Sequence, residues 1–215
     1  MILKEGVVQF HLTFLPADPL PEAILYSLNA WRQIFFRLEL IGQDPNRYGG
    51  LGFGNVSIRV ESGNTTSFII SGTQTGGMNR LLPEHYTLVK TFDPATNRVV
   101  AEGIVRPSSE SLTHGTLYRL DRTIGAVIHA HSPEIWKQAD MIRIPVTHRN
   151  AHYGTPEMAE EVCRLFQNTP VSELKIFSMG GHEDGIVAFG DSMEQAGLTL
   201  VRYLALASAR GVVAK

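Results

Sequence analysis

Apolar and polar residues alternate along this chain with two different periods. Residues 8–14 alternate one by one, which is the period of a half-buried strand. Between residues 21 and 41 the apolar positions recur at steps of four and three, which predicts a helix with one buried stripe that is closed by Gly42. The stripe consists of Ile24, Leu28, Trp31, Phe35 and Leu38.

The rest of the pattern places strands in the middle of the chain and helices around them. Short apolar or alternating segments predict strands at residues 56–60, 68–70, 126–131, 174–179 and 185–189, and two strands joined by a turn within 86–104. Helix start signals lie after Ser109, at Thr155-Pro156 and at Asp191, and the last helix runs to about Arg210. We therefore expect an α/β fold class, with one domain over residues 1–215 built as three α/β/α layers around a mixed sheet.

Composition and charge exclude several classes of partner. Lys and Arg number 19 against 21 Asp and Glu, which gives a formal charge of −2 and no basic footprint for a nucleic acid. No run approaches the roughly 20 apolar residues of a membrane helix, and the N-terminal residues lack the features of a signal peptide. Because Cys163 is the single cysteine, no internal disulfide can form, and a reducing cytoplasm is the expected location.

Two histidines stand two residues apart in the predicted strand 126–131. His129 and His131 would point to the same face of that strand, close enough to share one ion. Imidazole is a common zinc ligand, and a catalytic zinc needs a third protein ligand and an open position. The alternative is that both side chains lie on a solvated strand face.

Four further histidines compete for the third position. His182 follows a predicted strand and two glycines, which let the backbone turn sharply toward a neighbouring strand end. His148 and His152 lie in a polar loop, where a surface role is expected. His114 shares a helix face with Glu110 and could support a site or lie in the core or at the surface. His182 is therefore the favoured third ligand.

Other polar groups have a structural and a chemical interpretation. Glu110 stands in a first helical turn, which the helix dipole alone explains, although a catalytic carboxylate would also fit there. Residues 54–57, 71–73 and 108–109 offer hydroxyl, amide or backbone N–H donors that could hold an anion, or they are ordinary turns. No nucleotide-binding motif occurs, so a nucleotide is not implied.

Taken in order, these segments resemble the class II aldolase/adducin family. The resemblance is carried by Gly54-Asn55-Val56-Ser57, Ser71-Gly72-Thr73, Arg106-Pro107-Ser108-Ser109-Glu110 with His114, Ala126 to Ser132, Tyr153-Gly154-Thr155, and His182 with Gly185 to Ala188. It implies a largely antiparallel mixed sheet and a homotetramer with sites at subunit interfaces. It also implies zinc bound by His129, His131 and His182, with Glu110 as general acid/base. The phosphate-binding residues that it implies are Asn55, Ser71, Gly72, Thr73, Ser108 and Ser109.

The chemistry that follows is cleavage of a small, phosphorylated ketose. Zinc can polarise the ketose carbonyl and stabilise the enediolate left by carbon–carbon cleavage, while a carboxylate moves a proton on the adjacent carbon. The alternatives are a dehydratase or epimerase on a pentulose phosphate, or a non-catalytic adducin-like module. Glutamate at position 110 favours the aldolase or the methylthioribulose-phosphate dehydratase branch over the ribulose-phosphate 4-epimerase branch, which has aspartate there.

The chain also departs from the family pattern. The segment between Ser132 and Tyr153 is shorter than in the fuculose-phosphate aldolases, so a second acid/base has no assigned residue. The loop from Gln74 to Asn79 is unusually rich in glycine beside the expected phosphate pocket. Glu183-Asp184 places two acids after the third histidine, where one could touch the metal or repel an anionic substrate.

Overall fold

The computed structural model describes residues 7–60 and 66–213, with side chains as far as residue 210. Residues 1–6, on which the signal-peptide prediction partly rests, lie outside this part of the chain. The strands are β1 (His11–Pro16), β2 (Gly42–Gln43), β3 (Gly52–Phe53), β4 (Asn55–Arg59), β5 (Phe68–Ser71), β6 (Tyr86–Asp93), β7 (Arg98–Gly103), β8 (Ala126–His131), β9 (Ile176–Ser178) and β10 (Gly185–Gly190). The α-helices are α1 (Tyr26–Arg37), α2 (Ser111–Leu120), α3 (Pro133–Lys137), α4 (Pro156–Asn168), α5 (Val171–Leu174) and α6 (Met193–Val213).

One sheet of eight strands organises the described residues. Its order is β1-β7-β6-β5-β4-β8-β10-β9, and only the edge strand β1 runs parallel to its neighbour within it. The hairpin of β2 and β3 forms a small separate sheet. The prediction of a mixed, largely antiparallel sheet is therefore confirmed, and β8 lies inside it between β4 and β10.

Apolar clusters cover both faces of the sheet. On one face Ile128 packs with residues of α1, α3 and α6, and on the other Val127 packs with residues of α2 and α4. Successive residues of a strand point to opposite faces, so the helices form two outer layers around the sheet. This confirms the three-layer α/β/α fold class. The helices of residues 7–60 and 66–213 include none with the length and apolar content that crossing a bilayer requires.

The first helix differs from the predicted one in its start, in its end and in one buried position. Residues 22–25 form a 3₁₀ helix, which has three residues per turn, and α1 begins only after it. Ile24 lies in the 3₁₀ helix and is 45% exposed, and Leu38 lies just beyond the end of α1 and is 43% exposed. Arg32 is instead buried beside Leu28 and Phe35, and Trp31 is half-buried. The helix ends at Arg37 and not near Gly42.

The start of α6 is displaced by one residue from the predicted capping box. Ser192 Oγ accepts the N–H of Gln195 at 3.2 Å, and Gln195 Oε1 accepts the N–H of Asp191 at 3.0 Å. Ser192 is therefore the cap, because its hydroxyl reaches the third helical N–H. The predicted cap of α4 is confirmed, since the Thr155 hydroxyl accepts the N–H of Met158 at 3.4 Å.

Candidate metal and acid–base site

His129 and His131 lie at the end of β8, on the face covered by α2 and α4. Ala126, Ile128 and Ala130 point to the opposite face, so the period of two sets the direction of both imidazoles. The two residues are 0% and 1% exposed, which excludes the alternative of a solvated strand face. The Nε2 atoms of the two rings are 3.2 Å apart.

His182 reaches the pair from the turn between β9 and β10. Its N–H donates to Met179 O at 3.2 Å, and its carbonyl accepts the N–H of Gly185 at 3.0 Å. A Cβ at Gly180 or Gly181 would stand 2.3 Å from Thr147 O or 2.2 Å from Ala151 O, so glycine is required for this close approach. The His182 ring centroid lies 5.0 Å from that of His129 and 4.8 Å from that of His131.

The geometry of the three histidines fits a divalent metal. One ligand atom from each lies within 4.8 Å of the others, and all three residues are buried. Two nitrogens bound to one tetrahedral zinc at about 2.0–2.1 Å are about 3.3 Å apart, which matches the 3.2 Å between the Nε2 atoms. Burial, followed by the neighbouring histidines and Arg47, lowers the pKa of His131 well below its usual range, so the ring is neutral. Neutral imidazole is the form that binds a metal.

Glu110 places a buried carboxylate beside this cluster. It precedes the first residue of α2 and is 1% exposed. Its Oε2 accepts the Thr113 hydroxyl at 2.8 Å, and its Oε1 lies 3.4 Å from His182 Nδ1. Burial alone would raise the pKa of this carboxyl, but His129, His182 and Thr113 outweigh it and hold the pKa at about 2. The group is therefore a carboxylate at neutral pH.

Five of the six residues expected to bind phosphate line one pocket. These are Asn55, Gly72, Thr73, Ser108 and Ser109, and the same pocket is lined by Gly52, Gly54, Gln74, Thr75 and Gly76. Ser71 is absent from this lining. Its hydroxyl instead accepts the N–H of Val56 at 3.2 Å and so links β5 to β4. The pocket walls thus come from three segments that are far apart along the chain.

A cluster that the sequence patterns did not predict adjoins His131. The Tyr48 ring packs edge-on against the His131 ring at 4.5 Å between centroids. Asp184 Oδ2 accepts the Tyr48 hydroxyl at 2.7 Å and Arg47 Nη2 at 3.2 Å. The Asp184 carboxylate is therefore bound by two donors of its own chain, whereas Glu183 is exposed. The glycines that follow Tyr48 are the sequence signal for a special conformation there, and Tyr48 itself has a φ of 51°.

The other three candidate histidines lie either at the surface or in the core. His148 and His152 are exposed, as predicted. His114 is 0% exposed, with Nδ1 2.7 Å from Ser57 Oγ, which in turn lies 2.8 Å from the Tyr118 hydroxyl. Burial, the largest influence, lowers the pKa of His114 to about 3. His114 is therefore a neutral core residue near the site and is not one of the three clustered histidines.

Comparison with proteins of known structure and sequence agrees with this fold. Crystal structures of L-fuculose-1-phosphate aldolase from Thermus thermophilus and of sugar-phosphate aldolase from Thermotoga maritima are similar in fold, each with a TM-score of 0.65. The first is 18% identical and covers 88% of this chain and 93% of its own, and the second is 14% identical and covers 87% and 93%. L-ribulose-5-phosphate 4-epimerase UlaF from Salmonella paratyphi B (strain ATCC BAA-1250 / SPB7) is 31% identical over 102 residues, which is 42% of this chain. The match spans 45% of that epimerase, less than half of its length.

A family model identifies the domain directly. The model described as Class II Aldolase and Adducin N-terminal domain matches residues 46–209, a span that contains Glu110 and all three clustered histidines. The wider boundaries of one domain over residues 1–215 stay a prediction. Because the match covers most of the chain, the protein belongs to the class II aldolase and adducin family.

Proposed function

We propose that this protein is a metal-dependent lyase that cleaves a small, phosphorylated ketose by retro-aldol chemistry. His129, His131 and His182 would hold the divalent metal, with zinc the favoured ion. The observation that carries the proposal is the buried Glu110 carboxylate, whose Oε1 lies 3.4 Å from the Nδ1 of a candidate metal ligand, His182. A metal bound there supplies a Lewis acid that stabilises negative charge developing on a substrate oxygen.

Glu110 is the residue we assign to proton transfer. Cleavage of a carbon–carbon bond leaves an electron pair on one carbon, which must be protonated before the fragment leaves. In the synthetic direction the same carbon must lose that proton. Because its pKa is held at about 2, Glu110 starts as a carboxylate, ready to accept the proton in the synthetic direction. The Thr113 hydroxyl fixes Oε2, so Oε1 is the oxygen that faces the cluster.

The polar pocket supports a substrate that bears a phosphate. Asn55, Thr73, Ser108 and Ser109 bring amide and hydroxyl donors to one place, and Glu110 directly follows Ser109. Anchoring a phosphate there would orient the reacting carbons toward the carboxylate. The L-fuculose-1-phosphate aldolase and the L-ribulose-5-phosphate 4-epimerase that this chain resembles are both named for phosphate esters, which supports the same substrate class.

A second candidate function is epimerisation or dehydration of a pentulose phosphate at the same metal site. The similarity to the Salmonella epimerase over 102 residues favours it. Both functions would use the same histidines and the same carboxylate, so the products distinguish them. A non-catalytic adducin-like module is the alternative outside catalysis.

The test is turnover of a panel of ketose phosphates by the zinc-loaded protein, with products identified by NMR. We expect release of a two-carbon or three-carbon fragment. Glu110→Gln should keep its zinc and lose at least about 10²-fold in kcat. Glu157→Gln is the matched control, because Glu157 likewise lies at the start of a helix but is exposed on α4.

Three other results would contradict the lyase, and a fourth would contradict the role of Glu110. An intact carbon skeleton that has lost water would indicate a dehydratase, and an inverted stereocentre would indicate an epimerase. A folded protein that binds no metal and turns over no substrate would indicate the non-catalytic module. Full activity in Glu110→Gln would remove this carboxylate from the mechanism.

The proposal extends to assembly and location. We propose a homotetramer in the cytoplasm, with a small sugar phosphate as substrate and with neither nucleic acid nor membrane as partner. The family resemblance supports the tetramer, and the formal charge of −2 and the single cysteine support the rest. Light scattering coupled to size-exclusion chromatography measures the subunit number, and a monomer at micromolar concentration would contradict the tetramer.

A further inference from the structure

Arg32 is a buried cation that is bound to one loop. It lies on the core side of α1 and is 2% exposed. Its Nη2 donates to Thr75 O and to Gly76 O, each at 3.0 Å, and its Nη1 donates to Asn79 O at 3.2 Å. No carboxylate in residues 7–60 and 66–213 forms an ion pair with it. The hydrogen bonds that its guanidinium makes to the described chain therefore all go to carbonyls of the 75–79 loop, namely those of Thr75, Gly76 and Asn79.

These bonds determine where the N–H groups of the loop point. In a trans peptide the C=O and the N–H point in opposite directions. Since the carbonyls of Thr75 and Gly76 face Arg32, the N–H groups of Gly76 and Gly77 face away from it. A Cβ built on Gly52 would lie 3.2 Å from Gly76 N and 3.3 Å from Gly77 N, so both nitrogens stand opposite Gly52. Neither N–H donates a hydrogen bond to another residue of the described ranges.

The side of the loop away from Arg32 adjoins the polar pocket described above. Gly52 and Gly76 line that pocket together with Asn55, Ser108 and Ser109. Asn55 is 7% exposed, and its Oδ1 has no hydrogen-bond partner among the residues that the structure describes. Buried polar groups are normally paired, so this acceptor indicates a ligand that also carries a hydrogen-bond donor, such as a sugar hydroxyl, while the amide Nδ2 can donate to a phosphate oxygen. Successive backbone N–H groups that converge on one point bind anions.

We infer that Arg32 is a positioning residue for anion binding: it holds the carbonyls of the 75–79 loop so that the N–H groups of Gly76 and Gly77 donate to a phosphate seated near Gly52. The inference rests on the phosphate-bearing substrate class of the proposed function. Arginine suits this role because its planar, rigid fork of donors binds several carbonyls at once. A lysine would keep the charge but not the three hydrogen bonds.

The experiment is titration of the zinc-loaded protein with inorganic phosphate by calorimetry. In Arg32→Lys the loop loses its fixed orientation, and we expect the Kd for phosphate to rise at least about tenfold. Zinc content should stay at the wild-type level. Arg59→Lys is the matched control, because Arg59 donates to the carbonyls of Tyr118, Ile124 and Asp121, at 2.7, 2.7 and 3.0 Å, away from the pocket. This control should lower the thermal midpoint and leave the Kd for phosphate unchanged.

A second variant tests the N–H groups without touching Arg32. The methyl group of Gly52→Ala would stand directly against the two nitrogens, so it should also weaken phosphate binding at least about tenfold. Wild-type affinity in both Arg32→Lys and Gly52→Ala would overturn the inference. So would an equal loss in Arg59→Lys, or a wild-type protein that does not bind phosphate.

The inference and the proposed function can fail separately, because phosphate binding needs no turnover. Phosphate affinity that depends on Arg32, in a protein that cleaves no ketose phosphate, would support the inference and contradict the lyase. Cleavage of a ketose phosphate by a protein whose phosphate affinity is independent of Arg32 would support the lyase and contradict the inference.

Discussion

The buried imidazole of His114 makes a quantitative prediction about acid stability. Burial lowers the pKa of His114 from an ordinary value of 6.5 to about 3 in the folded protein, whereas the unfolded chain returns to the ordinary value. Below about pH 6.5 the unfolded state therefore binds a proton at His114 that the folded state does not bind. The contribution of His114 to the free energy of unfolding is fully present above the unfolded pKa. It decreases as the pH is lowered from the unfolded pKa to the folded pKa.

The two pKa values fix the size of this effect. Each pH unit between them costs at most about 1.4 kcal/mol. Integrated from about pH 7 to about pH 5, this one group removes about 2 kcal/mol of stability. Marginal stability of about 5–15 kcal/mol is typical of a domain, so the loss is measurable.

The assay compares urea unfolding of the wild type and His114→Asn at both pH values, with zinc content matched. The asparagine amide occupies the position of Nδ1 and does not titrate. We expect the wild type to lose about 2 kcal/mol more than the variant between about pH 7 and about pH 5. Tyr118→Phe is the control, because it removes a hydroxyl from the same network and keeps the imidazole. It should lower stability at both pH values and leave the difference as in the wild type. Equal losses in wild type and His114→Asn would refute the reasoning.

Three further predictions concern the candidate metal ligands, the cluster beside them and the α2 packing. His129→Ala removes one of two adjacent imidazoles, so bound zinc measured by mass spectrometry should fall to near zero, and stoichiometric zinc in this variant would contradict the ligand assignment. Tyr48→Phe removes the 2.7 Å hydrogen bond to the Asp184 carboxylate, so the free energy of unfolding in urea titration should fall by about 1–2 kcal/mol. An unchanged free energy of unfolding would show that this bond adds nothing to stability. Gly115→Ala would bring a Cβ to 2.8 Å from the Phe92 ring, and the overpacking should cost about 1–3 kcal/mol; a more stable variant would show that helix propensity outweighs the clash.

The sequence predicts those parts of the site that depend on local geometry. His129 and His131 could be paired because a strand repeats every two residues, and β8 has the predicted bounds. The glycines before His182 indicated a turn with close backbone contacts, which the approach to Thr147 O and Ala151 O explains. Glu110 was placed at a helix start from its segment alone, whereas its approach to His182 depends on the packing of α2 against the sheet.

Long-range partners explain what the patterns did not predict. Tyr48 and Asp184 are separated by 136 positions, and Arg32 and Thr75 by 43, so no period along the chain relates them. Arg32 also falls outside the predicted apolar stripe because its side chain is charged, although it lies one helical turn after the buried Leu28.

The position of β8 inside the sheet has a consequence for the order in which a metal would be captured and released. His129 is paired with Asn55 on one side and with Val187 on the other, so this half of the site cannot shift without breaking two ladders. His182 lies in the turn between β9 and β10, outside the ladders of the sheet. We expect exchange of a bound ion to begin with His182, at a rate set by local opening of that turn and far faster than global unfolding.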